Sequence, residues 1–271
     1  MTLTPGKLIL AKDYPADDDA RAYVAAVEDA DELDTPGIGA LEPAVIAAYD
    51  NFIVGCKADG IWNAIKASCI LAGARTLSGA LVPLVGTAPT NNGPFVAADY
   101  DRKTGLVGDG STKYLDSNRD NNADPQNNQH VASYCTQVNS GSTGIFLGSD
   151  GVSTPGATSV YINFAKNVFT VSRSAGSANQ TGTTLQAGFI GVSRASSANY
   201  TRRFNSNNQN VIRTSSASTS SRIFVFDRGP TPPHFPLNSR LTFYSIGESL
   251  DLALLDARVS TLISDLGAAI P

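Results

Sequence analysis

The chain has 271 residues, 42% of them hydrophobic and 16% charged, long enough for one large core or two modest ones without covalent staples. Its three cysteines, Cys56, Cys69 and Cys135, form an odd set without a Cys-x-x-Cys or a nearby histidine pair, which argues against a disulfide framework and a zinc site and for buried free thiols. The net charge of −4 conceals a division: residues 1–60 hold twelve Asp or Glu against four Lys or Arg, whereas residues 151–247 hold nine Lys or Arg against Asp227 alone.

The N-terminal apolar run is broken by Lys12 and Asp13, short of a signal-peptide core, and no stretch reaches the ~20 apolar residues of a membrane span. Synthesis in a cytoplasm is therefore expected. Asp17, Asp18 and Asp19 then precede Ala20, Tyr23, Val24 and Val27, an acidic first turn followed by one apolar helical face. After a break at residues 35–39, Pro43 opens a second helix whose face carries Val45, Ile46, Tyr49, Phe52 and Ile53. A third helix is predicted from an N-cap at Asp59 through Ile61, Trp62, Ile65, Cys69 and Ala72 to Gly73. Leu77 to Val85 reads as an apolar connector.

Composition changes near residue 85, from Ala, Leu and acids to Gly, Asn, Ser and Thr. We expect a helical attachment or oligomerisation region over 1–85 and a β domain over 86–271. Short β-branched and aromatic runs follow at Lys113–Leu115, His130–Val138, Gly144–Gly148, Ser159–Phe164, Val168–Ser172, Leu185–Ser193, Asn199–Phe204, Val211–Arg213, Ile223–Phe226 and Leu241–Ile246. No helical period intervenes, which excludes βαβ units and points to a mainly β sandwich or jelly roll. The final element, with Leu252, Leu255, Val259, Leu262, Ile263 and Leu266 at three- and four-residue steps, predicts a terminal amphipathic helix lying on its own sandwich, or alternatively forming a seam between subunits.

Chemistry-bearing residues are few. Asp116, Asn118, Asp120, Asn122 and Asp124 place oxygens at every second position, a spacing suited to calcium, but Asn121 and Asn127 stand where an EF-hand loop needs its glycine and its last carboxylate. A solvated Asx-rich turn is the competing reading. A glycosidase needs two opposed carboxyls, and residues 125–247 offer only Asp150 and Asp227, with Glu248 beginning the last helix. His130 and His234 are the only histidines, and His234 sits in a Pro-rich turn. Gly105, Gly108 and Gly110 lack the helix and lysine of a phosphate loop. Arg194, Arg202, Arg203, Arg213 and Arg222, with Tyr200 and Phe204, offer charge and stacking for an anionic polymer, a sugar or a neighbouring subunit, although no nucleic-acid motif organises them.

Four stretches in order, beginning Gly108-Asp-Gly-Ser-Thr-Lys-Tyr-Leu, Asn121-Asn-Ala-Asp-Pro-Gln-Asn-Asn-Gln-His, Gly188-Phe-Ile-Gly-Val-Ser-Arg and Phe243-Tyr-Ser-Ile-Gly-Glu-Ser-Leu, resemble tail-associated and particle-surface proteins of bacteriophages and prophages, including cyanophages. The likeness covers about residues 95–267, and Gly60-Ile-Trp-Asn-Ala-Ile-Lys-Ala-Ser-Cys is similar to the segment preceding that domain. The resemblance implies a concanavalin A-like jelly roll ending in a helix, and a non-catalytic virion component assembled in the host cytoplasm. It would be a tail fibre, receptor-contacting tip or capsid decoration, often trimeric, contacting other virion proteins and in some cases a host-surface glycan. It brings no catalytic motif and no cofactor.

Overall fold

The computed structural model describes residues 14–139, 141–151, 153–176, 178–229 and 235–271. Helix α1 (Asp18–Asp34) starts where Asp17 accepts hydrogen bonds from the backbone N–H of Asp19 and Ala20, and it buries Ala20, Tyr23, Val24 and Val27. Helix α2 (Pro43–Ala58) has Pro43 in its first turn and buries Val45, Ile46, Tyr49, Phe52, Ile53 and Cys56. Both follow the expected periodicity.

The predicted third helix is replaced by something else. Gly60 turns the chain at φ 71°, a single 3₁₀ turn spans Trp62–Ala64, and strand β1 (Ile65–Ile70) then pairs antiparallel with the last strand, Ser68 opposite Ser245 and Cys69 opposite Tyr244. Ile-Lys-Ala-Ser-Cys-Ile is too short for periodicity to separate a helix from a doubly buried strand, and pairing decides. Ile65 and Ile70 join one apolar cluster, Ala67 and Cys69 the other. A short helix α3 (Leu77–Ala80) follows, capped by the Thr76 hydroxyl, and Val85 returns to bridge Ser68. Packing therefore crosses the compositional boundary near residue 85.

The remaining strands are β2 (Thr90–Asn92), β3 (Tyr100–Asp101), β4 (Gly105–Val107), β5 (Tyr114–Asp120), β6 (Gln129–Gln137), β7 (Gly144–Gly148), β8 (Thr158–Ile162), β9 (Asn167–Ser172), β10 (Ala178–Thr184), β11 (Gly188–Arg194), β12 (Asn199–Phe204), β13 (Asn207–Ile212), β14 (Arg222–Val225) and β15 (Arg240–Gly247). One eight-stranded sheet runs β13-β12-β11-β6-β15-β4-β3, with β1 also on β15; a seven-stranded sheet runs β10-β9-β8-β7-β14-β5-β2. Every pairing is antiparallel. The non-sequential neighbours β6, β11 and β15 in one sheet and β5, β7 and β14 in the other make the sandwich jelly-roll-like.

Between the sheets, Val131, Ile190, Val192, Tyr244 and Ile246 meet Phe146, Val160, Ile162, Val168 and Val225. On the other face of the larger sheet, Ala132, Phe189 and Phe243 pack under α1, α2 and α4 (Leu252–Ala269), with Phe52 edge-on to Phe243 at 5.7 Å. A register shift between Leu241 and Phe243 lets residues two apart face opposite layers, Leu241 toward the sheets' interior and Phe243 toward the helices. The terminal helix thus lies on its own sandwich, burying Leu252, Leu255, Val259, Leu262 and Leu266.

Candidate functional site

The turn that ends α2 also borders a surface hollow. The N–H of Ile61 bonds back to the carbonyl of Cys56, and the 3₁₀ turn places Trp62 between the first turns of α1 and the strand-like segment at residues 83–85. A groove of about 500 Å³ results, lined by Asp19, Tyr23, Trp62, Asn63, Lys66 and Leu84 among others. A second hollow of about 340 Å³ shares Asp19, Trp62 and Asn63 and adds Lys57 and Gly60. The indole, the only one in the chain, stands at the border of both.

Apolar groups, Ile65, Leu84 and Val85 among them, share the groove with charged ones. The Lys57 ammonium lies 5.7 Å from the Trp62 ring centroid, 2.7 Å from the Asp17 carboxylate and 2.6 Å from that of Asp19. The Lys57 hydrogen bond holds the Asp17 carboxyl below the usual carboxylate range, so it stays an anion at neutral pH. Lys66 reaches Glu248 at 3.4 Å. A flat aromatic surface fringed by an amide, an ammonium and carboxylates suits a ligand with an apolar ring face and hydroxyl edges. No opposed pair of free carboxyls flanks it, because Asp17 and Asp19 share one lysine.

The arginines singled out in the sequence do not form a surface patch. Arg194 is wholly buried. Its guanidinium donates to the carbonyls of Ser172 (2.7 Å), Ser196 (2.9 Å), Asn199 (3.1 Å) and Arg213 (3.0 Å) and lies 5.1 Å from the Tyr200 ring. Tyr200 is itself buried and donates to Thr170, and Phe204 is in the inter-sheet core, so neither can stack on a ligand. Arg202 is buried and bonds Gln209 at 2.7 Å. Arg203, proposed from the sequence as a ligand or subunit contact, pairs with Asp256 of α4 at 2.7 Å within the same chain. Arg213 is exposed, and its carbonyl accepts from Arg194. Strand alternation is the reason: in β12, Tyr200, Arg202 and Phe204 point inward, and Thr201 and Arg203 point toward the helices. Arg173, unremarked in the sequence, is likewise buried and donates to the carbonyls of Asn121, Asp124 and Pro125; burial lowers its pKa to about 10, still a cation at neutral pH.

The calcium candidates are also dispersed. Asp116, Asn118 and Asp120 lie along β5 rather than around a loop, and the Arg222 guanidinium faces them, 3.1 Å from Asp120, 3.1 Å from Asn118 and 4.0 Å from Asp116. Asp124 pairs with Arg119, and Asn122 is exposed. The Arg222 guanidinium thus lies among the three candidates that share β5. Among the described residues no three His, Cys, Asp or Glu are grouped to hold a metal.

Most of the other reactive groups considered are buried or hydrogen-bonded. Asp227 is buried and accepts from the N–H of Arg228 and Phe235. Asp150 accepts from the Ser221 hydroxyl. His130 is buried between the Glu248 carbonyl (2.5 Å) and the Ser245 hydroxyl (2.7 Å), and burial lowers its pKa to about 4. His234 lies outside the described residues. The three cysteines are free and buried, with thiols pushed up to about 12 by desolvation. Gly108 packs against the Leu237 carbonyl and leaves no room for a side chain.

No protein-family model matches the sequence, and no curated protein matches it significantly. Among solved structures, the chain is similar to a Trypanosoma rangeli sialidase mutant displaying trans-sialidase activity, with a TM-score of 0.46, 10% identity, and coverage of 80% of this chain and 39% of that one. It is similar to the botulinum neurotoxin serotype D binding domain (TM-score 0.49, 12% identity, 76% and 52% covered). It is also similar to the Ruminococcus gnavus IT-sialidase CBM40 bound to α2,3-sialyllactose (0.37, 13%, 48% and 80%). The chain spans less than half of the sialidase it matches, and at this depth such likenesses say nothing of what it binds.

Proposed function

We propose that the chain is a non-catalytic carbohydrate-recognition module carried on the surface of a bacteriophage particle, acting in host adsorption. The observation that carries this reading is the Trp62 groove, where a half-buried indole borders two hollows also lined by Asn63, Lys66, Asp19 and Lys57. Hydroxyl-rich ligands need such a mixture of flat apolar contact and short polar edges. Among the described residues the acids considered for hydrolysis are buried, turn-bonded or paired to cations, and none faces another across a cleft. The resemblance of the ordered motifs over residues 95–267 to phage particle-surface proteins is what supports the virion part of this reading.

A glycan array carrying host-envelope oligosaccharides tests it. We expect the wild-type chain to bind a defined subset, Trp62→Ala to lose that binding while keeping its circular dichroism spectrum and midpoint, and no product to be released from envelope polysaccharide. A blank array for the wild type would leave plain cementing of the particle as the function. Sugar release would revive a depolymerase.

A further inference from the structure

The larger sheet ends in a strand whose free edge is unguarded. β12 and β13 are joined by the two residues Asn205 and Ser206, at φ 48° and 58°, a type I′ turn. In such a hairpin the closing pair Phe204 and Asn207 is hydrogen-bonded, and bonded pairs then alternate, so Arg202 with Gln209 and Tyr200 with Val211 are bonded as well. The N–H and C=O groups of Asn208, Asn210 and Ile212 consequently point away from β12. Among the described residues no backbone group bonds them.

Edge strands are ordinarily protected by lysines, prolines or bulges. β13 reads Asn-Asn-Gln-Asn-Val-Ile, with no charge, no proline and an unbroken register along β12, and Ile212 is 81% exposed at its end. Neutrality matters because a two-fold contact places each residue beside a copy of its own patch. A charged edge would repel itself, whereas none of the six β13 residues is charged and the Arg203 guanidinium that donates to Asn208 is paired with Asp256.

We propose that β13 is a homodimer edge, pairing antiparallel with β13 of a second copy about a two-fold axis at Asn210. Asn210 then faces Asn210 of the second copy and Asn208 faces Ile212, with about six main-chain hydrogen bonds joining the two larger sheets into one. The exposed Ile212 side chain is covered in the process. This contact is independent of the Trp62 groove, and it differs from the trimer that the sequence resemblance implies.

Asn210→Lys and Asn210→Glu test it by analytical ultracentrifugation. Like charges directly opposite at the two-fold axis should weaken dimerisation at least about fivefold in each variant alone, and an equimolar mixture of the two should recover a mixed dimer. Asn210→Pro, which removes an outward N–H without touching the β12 ladder, should give a folded monomer. Should that variant fail to fold, the charge pair still decides. A wild-type chain that stays monomeric at about 100 μM, a trimer, or a dimer indifferent to the Lys and Glu substitutions would overturn the assignment.

Discussion

Lowering the pH from 7 to 4 should cost the fold about 3 kcal/mol through His130 alone. A carbonyl only accepts, so Nδ1–H must donate to Glu248, and in the neutral ring Nε2 accepts from the Ser245 hydroxyl. Desolvation of the buried ring, rather than these hydrogen bonds, favours the neutral form. Burial places its pKa at about 4, against 6.5 in the unfolded chain. Because the folded pKa is the lower one, the unfolded state binds the proton first: the neutral form's full stability is present above pH 6.5 and is lost as pH falls from 6.5 toward 4. A difference of about 2.5 units at about 1.4 kcal/mol each, incomplete at pH 4, gives about 3 kcal/mol. The depressed carboxylates, such as Asp109 at about 2 with three backbone N–H donors, lose most of their contribution below the His130 window, and comparison with His130→Gln removes the overlap near pH 4. Urea unfolding of wild type and His130→Gln at pH 7 and pH 4.5 measures the difference. Equal pH dependence in the two proteins, or an NMR titration of this imidazole near 6.5, would refute the reasoning.

Other outcomes follow from the same geometry. Arg194→Met should destabilise the fold by about 3 kcal/mol, since four carbonyls lose their donor, and should leave glycan binding intact, as read by thermal unfolding and the array. Asp31→Ala strips the acceptor from the N–H groups of Arg75 and Thr76 and from the Thr76 hydroxyl, and should cost about 3 kcal/mol in denaturant unfolding. Leu262→Ala opens a cavity beneath α4 and should cost about 2–5 kcal/mol in the same assay. Calcium at millimolar concentration should leave the thermal midpoint unchanged, because Arg222 already faces Asp116 and Asp120; a rise would show a site elsewhere.

Much of the architecture is legible from residue order. The α1, α2 and α4 faces repeat at helical spacing over four or more turns, and the runs at 130–138, 188–194 and 240–247 are rich in β-branched and aromatic residues. Strand β1 is not legible, since six residues buried on both sides lack a period and only β15 distinguishes them from a helix turn. Strand β10, Ala-Asn-Gln-Thr-Gly-Thr-Thr, and the Asx run of β5 carry turn-type composition and become strands through pairing with β9 and with β14. The arginines misled for a related reason. Serine and asparagine neighbours suggest a wet surface, but the carbonyls that receive Arg194 come from residues 172, 196, 199 and 213, a convergence that spacing does not encode. The Trp62 groove is likewise assembled from three separate segments, residues 19–26, 62–66 and 83–85. A lone tryptophan next to Asp59-Gly60 and Asn63 was the one available signal, and a turn in place of the expected helix gives it its meaning.

The chain's single tryptophan makes its own emission the most direct test of the central claim. Titrating the wild-type protein with an oligosaccharide bound on the array should shift Trp62 fluorescence in a saturable way, with the same midpoint as calorimetry. An oligosaccharide that binds by calorimetry while leaving that emission unchanged would place recognition elsewhere and contradict the account.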